Sequence, residues 1–125
     1  MKNSVIDIRI WQEWREFEKS EETPNFFLEL LERALAISPP KMVELVAAAK
    51  DKNYKIVAHN AHSMSSTFQA LGATGLAAKL KEIEKAMRAL EPVIQEELVA
   101  VIETLYREVI VEFQNERDRL KKAAA

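Results

Sequence analysis

Glycine occurs only twice in these 125 residues, and cysteine not at all. A chain so poor in glycine has few places for the left-handed backbone that tight hairpins need. Its apolar residues return instead every three or four positions, the period of a helix rather than of a strand. At about 100° per residue, Val57, Ala61, Met64, Phe68 and Leu71 fall within roughly 40° of one direction, the 4-3-4-3 seam of a packed helix. Leu76, Leu80, Ile83, Met87 and Leu90 repeat the pattern. The expected fold is all-α.

Breakers and caps divide the pattern. A first amphipathic helix is expected from about Val5 to Glu18, with Ile10, Trp11, Trp14 and Phe17 apolar, and the two tryptophans are expected against the end of the bundle. Thr23-Pro24 reads as the start of a second helix, because proline at the first helical position loses only an amide that had no partner. Phe27, Leu30, Leu31, Ala34 and Leu35 would be its buried stripe. Pro39-Pro40 should kink or break it near Ser38, since each proline lacks a donor and restricts the residue before it. Met42, Leu45, Val46 and Ala49 carry the apolar face on to Lys50. Asn53 can cap the next helix, and Gly72 suits its C-terminal end. Pro92 is expected to open the last helix, with Ile94, Leu98, Val101, Leu105, Val109 and Phe113 facing inward.

These elements compose an antiparallel up-and-down four-helix bundle with an N-terminal capping helix. One domain is expected: residues 1–22 as capping helix and link, 23–122 as bundle, 123–125 as a frayed tail. An apolar content of 48% suffices for a core at this length. The 18 basic and 20 acidic residues are spread along the chain with a net charge of −2, so no basic stripe marks it for nucleic acid. No apolar run approaches the 18 or so residues of a membrane span, and the charged N-terminal stretch is no signal peptide. Lack of cysteine excludes disulfides and thiolate chemistry and agrees with a reducing, cytoplasmic setting.

His62 lies about 140° from the apolar seam of its helix, on the water side. Its neighbours one turn away are Ala58, His59, Ser65 and Ser66, mostly small. A neutral imidazole standing clear of its surroundings keeps a nitrogen lone pair for nucleophilic attack near pH 7. A phosphorylated ring would need that exposure, because its charge could not be buried unpaired.

Around His62 the sequence resembles the histidine-containing phosphotransfer (HPt) domains of two-component phosphorelays, whose signature runs Ala-His-x-Leu-Lys-Gly-Ser-Ser-x-x-Leu-Gly-Ala. Ala61-His62 opens the match, Met64 replaces the leucine, and Leu71-Gly72-Ala73 falls at the right distance, followed by Leu76 and Ile83-Glu84. Asn53 stands where the family often carries a capping aspartate. The resemblance covers the helix order from about Phe26 to Leu120. It implies that His62 accepts a phosphoryl group from one receiver-domain aspartyl phosphate and passes it to another. It also implies a docking face of Ala58, His59, Ser65, Ser66, Gln69 and Ala73. Ser65 and Ser66 depart from the signature's lysine and glycine, and Ser65 cannot supply the lysine's charge.

The implied partners are response-regulator receivers and a hybrid sensor histidine kinase, met by a monomer. Mg²⁺ and most of the catalysis would belong to the receiver, so this chain would be a phosphocarrier with no kinase or hydrolase site and no cofactor. A competing reading is an HPt-like module that docks on a receiver or kinase without transfer; another is a helical scaffold. His59 reads first as a solvated bystander and second as a neighbour able to share a proton or hydrogen bond with the phosphoryl group, and Lys55 as a weaker candidate two turns away. A metal site on His59 and His62 would need further ligands from another helix. No strained turn or oxyanion loop accompanies Ser63 or Ser65 as a nucleophile. The charges from Lys79 to Arg88 read as a solvated face.

Overall fold

The structure is a computed structural model, and it describes residues 5–89 and 96–124. Its described residues form five helices and no strand: α1 (Ile8–Glu21), α2 (Phe26–Lys50), α3 (Tyr54–Ala70), α4 (Thr74–Arg88) and α5 (Glu96–Ala124). Helix pairing closes a ring, α2 on α3, α3 on α4, α4 on α5 and α5 on α2, with α1 against α2. The expected opening at Pro92 and the inward positions Leu90 and Ile94 lie outside the described residues.

The seam of α3 is buried as its period requires. Val57, Ala61 and Phe68 are fully inaccessible, with Met64 and Leu71 nearly so. Leu76, Leu80, Ile83 and Met87 do the same for α4. On α5 the inward positions include Leu98, Val109 and Phe113, but Val101 faces solvent and Ile102 is buried in its place. An aromatic cluster joins the elements at the centre: Phe68 stacks on Phe113 at 5.7 Å and meets Tyr106 edge-on at 6.0 Å, and Trp11 lies 5.7 Å from Phe27. Burial of such rings is the main term favouring the folded chain.

Two helix boundaries differ from those expected. Helix α1 runs Ile8–Glu21, where Val5 to Glu18 was expected, because the Asp7 carboxylate accepts from the Arg9 amide and caps it there. Helix α2 starts at Phe26 rather than at Thr23-Pro24, which form the turn before it. Asn25, at φ 67°, is the cap residue, and the Glu18 carboxylate accepts from the Phe27 amide at 2.6 Å. A carboxylate from the preceding helix thus does what a local cap side chain would do.

Pro39 and Pro40 do not break α2, which is continuous from Phe26 to Lys50. An interior proline costs about 3 kcal/mol, yet Leu31 and Ala34 before the pair and Met42 and Leu45 after it are all buried. Ser38, itself buried, shares a 3.0 Å hydrogen bond with the Tyr106 hydroxyl on α5. Both prolines are exposed, so water can reach the carbonyls of Leu35 and Ala36 that lose their donors.

Candidate functional site

Helix α3 is fixed at both ends, and this fixes the direction of His62. At its start the Asn53 side chain accepts from the Ile56 amide at 3.3 Å, the capping bond expected from the sequence. At its end Gly72 adopts φ 87°; Ala73 N donates to Phe68 O at 2.8 Å and Gly72 N to Gln69 O at 3.2 Å. This is a Schellman motif. A Cβ on Gly72 would stand 3.0 Å from the Asp7 carbonyl, so glycine is required for space as well as for backbone angle.

Helix α1 completes that end. Trp11 Nε1 donates to the Leu71 carbonyl at 2.7 Å and Trp14 Nε1 to the Ala70 carbonyl at 2.8 Å. Asp7 N donates to Gly72 O at 2.8 Å. Two indoles and a backbone amide thus take up carbonyls that the last turn of a helix leaves without partners. Of the two tryptophans, Trp11 is buried and Trp14 partly so.

The side chain of His62 is 64% exposed, as its angle from the seam requires. Its ring is nevertheless not loose. Nδ1 lies 3.0 Å from Glu84 Oε2 and 3.2 Å from Oε1. A carboxylate only accepts, so Nδ1 carries the proton and donates, and in the neutral ring the lone pair is then on Nε2. Arg88 Nε donates to the same Glu84 Oε2 at 2.8 Å. Partial burial pushes the Glu84 carboxyl up, but the hydrogen bonds and charges of Arg88 and His62 outweigh it and hold the group below its ordinary value.

The expected docking face divides. His59, Ser66 and Gln69 are exposed with His62 along one stripe of α3. Ala58, Ser65 and Ala73 are not on it: their relative exposures are 4%, 2% and 0%. Position 65 is one turn from His62, but α3 and α4 pair more extensively than any other two helices, and small side chains permit that approach. Ser65 Oγ donates back to the His62 carbonyl at 2.9 Å, and Ser66 Oγ to the same oxygen at 3.3 Å. A side chain at 65 therefore serves the helix pair and its own backbone. Glu84 and Arg88 were missed as site residues. The signal for Glu84 was present in Ile83-Glu84, which stands beyond the signature where the family tends to have Leu-Glu, but a carboxylate paired across helices looks like any other in a charged run.

Beside the stripe runs a cleft of about 500 Å³ between α2 and α3. Leu30, Ile37, Met64 and Phe68 contribute its apolar lining, and Arg33 and Lys41 its cations. Among the described residues no group of histidine, cysteine, aspartate and glutamate side chains is arranged to hold a metal ion. None of their helices is long and apolar enough to cross a membrane.

The sequence model of the Hpt domain matches residues 21–123. The chain belongs to the Hpt domain family. Its members carry a phosphoryl group on histidine in two-component phosphorelays, so this chain is a histidine phosphotransfer protein, a carrier rather than a conventional enzyme. A similar solved structure is that of histidine-containing phosphotransfer protein B (HptB) from Pseudomonas aeruginosa PAO1. It shares 25% sequence identity and superposes with a TM-score of 0.79 over 94% of this chain and 98% of that one. No curated protein sequence matches the chain. The Hpt match includes α2 to α5 and leaves most of α1, with both indoles, outside it.

Proposed function

We propose that His62 is the phosphoacceptor and that it relays a phosphoryl group between the aspartates of response-regulator receivers, one of them carried by a hybrid sensor kinase. The observation that carries this reading is the Glu84 bond at Nδ1, which leaves Nε2 as an exposed nucleophile in a fixed ring. In the transfer, the Nε2 lone pair forms the N–P bond as the P–O bond of the aspartyl phosphate breaks, and the aspartate leaves as a free carboxylate. The proton stays on Nδ1. The ring then bears positive charge beside the Glu84 carboxylate, which stabilises it during attack and in the product. The reverse sequence returns the phosphoryl group to a second receiver.

The chain has no kinase or hydrolase site of its own in this reading. Mg²⁺ and the acidic pocket belong to the receiver, and this protein contributes a positioned nucleophile and a docking surface. That surface centres on His59, Ser66 and Gln69 and extends toward the α2–α3 cleft. We read the architecture as an antiparallel up-and-down bundle of α2 to α5, capped by α1, in one domain. The closed ring of helix pairs and the short links at residues 51–53 and 71–73 support it. It acts as a monomer in the cytoplasm.

The test is incubation with a receiver domain phosphorylated by acetyl phosphate, followed by assay for acid-labile phosphate on this chain. His62→Gln should abolish labelling with unchanged helicity, and His59→Gln should label. Labelling that survives in His62→Gln and is lost in His59→Gln would move the acceptor to the other histidine. A wild-type chain that binds receivers but takes no phosphate would make it a docking module.

A further inference from the structure

Phosphorylated His62 bears a group of nearly two negative charges on Nε2. The cationic ring between it and the Glu84 carboxylate offsets one charge, and the site as a whole stays anionic, which favours a further cation. Position 65, from which the signature would supply a lysine, is a buried serine bonded to its own helix. On the exposed stripe of α3 the remaining cation is Lys55, two turns away from His62.

We infer that Arg88 of α4 is the cation that faces the phosphoryl group on His62, a proposal that rests on His62 being the acceptor. Arg88 Nε and His62 Nδ1 share one oxygen, at 2.8 and 3.0 Å. These two nitrogens are therefore no more than about 6 Å apart, close enough for charge to act across. The phosphoryl-bearing Nε2 lies across the same ring, within reach of a long side chain that turns its terminal groups toward it. Glu84 binds Arg88 through Nε, which leaves both terminal NH₂ groups without a protein hydrogen bond among the described residues. The side chain is 56% exposed and so can follow a ligand that arrives from solvent. A guanidinium can hold a carboxylate through one edge and offer another to phosphate oxygens; a lysine ammonium has no such planar fork. Glu84 thus has two tasks, fixing the His62 tautomer and tethering the cation. Arg88 acts on charge and takes no covalent part in the transfer.

Lys81 is the control, a cation one turn before Glu84 on α4 that forms no hydrogen bond or ion pair with it. Wild type, Arg88→Gln, Arg88→Lys, Lys81→Gln and His62→Gln are each brought to equilibrium with an acetyl-phosphate-charged receiver, and acid-labile phosphate is measured at low and high salt. Arg88→Gln should lower occupancy of His62 by roughly two- to five-fold, the size of an exposed charge pair. Arg88→Lys, which keeps the charge without the fork, should restore part of it, Lys81→Gln should match wild type, and the difference should shrink with salt. Equal occupancy in Arg88→Gln at low salt, or a loss carried by Lys81→Gln instead, would overturn the assignment while leaving the carrier reading intact. A wild type that takes no more phosphate than His62→Gln would overturn both.

Discussion

Whether a side chain at this site faces water or protein decides what it can contribute, and one turn of helix changes the answer. Ser65 and Ser66 are adjacent, both hydroxyls donate to the His62 carbonyl, and both replace signature residues; yet Ser65 is 2% exposed and Ser66 lies open. The seam of α3 placed His62 correctly from the sequence, because five apolar residues define one direction. It did not tell on which flank of His62 the next helix would lie, and Ala58 and Ser65 are on that flank. A small side chain is equally suited to an open docking rim and to a close helix contact, so its type alone does not decide. The difference can be measured. Ser65→Lys forces a long side chain into packed surroundings and should cost about 1 to 3 kcal/mol, the range for overpacking. Ser66→Lys should stay within about 0.5 kcal/mol, as exposed substitutions do. Denaturant midpoints of the two variants, compared at constant m-value, check this.

At the scale of elements, local signals gave helix identity and tertiary contacts moved the ends. Asn53 and Gly72 act within a few residues of their own positions, and both their roles were legible. The start of α2 was not, because its cap comes from Glu18 on another helix. Nor was the continuity of α2 through Pro39-Pro40, which depends on burial on both sides and on the Ser38 bond to Tyr106. The same principle makes α1 more than a cover. Trp11→Phe keeps most of the ring but leaves the Leu71 carbonyl, in buried surroundings, without its donor. A loss of about 1 to 3 kcal/mol is expected, the cost of an unsatisfied buried polar group. Trp14→Phe removes a bond of similar length, but a solvent-exposed one, at a partly buried residue, so water can replace the indole. It should cost less than about 1 kcal/mol. Thermal unfolding of the two variants gives the order, and if Trp14→Phe proved the more damaging, the capping role of Trp11 would be wrong.

For the molecule as a whole, the question is whether the helix that presents His62 is held by the core or only by its caps. Phe68 answers it, because it has no accessible surface and touches the opposite side of the ring through Phe113 and Tyr106 of α5. It also lines the cleft toward α2. One side chain thus ties α3 to two of its partners, at the point where the sequence could supply the apolar period but not the neighbours. Phe68→Ala should cost about 3 to 5 kcal/mol, made up of lost transfer energy and of the cavity that a rigid ring of helices cannot close. Gln69, the next residue, is exposed on the outer stripe of α3, and Gln69→Ala should be neutral within about 0.5 kcal/mol. In a single cooperative unit the loss at Phe68 should appear equally in helicity and in tryptophan fluorescence, since Trp11 shares the Phe113 contact. Chemical denaturation followed by both probes tests this. If Phe68→Ala is no worse than Gln69→Ala, the inward face of α3 has been assigned wrongly, and the exposed, oriented His62 goes with it.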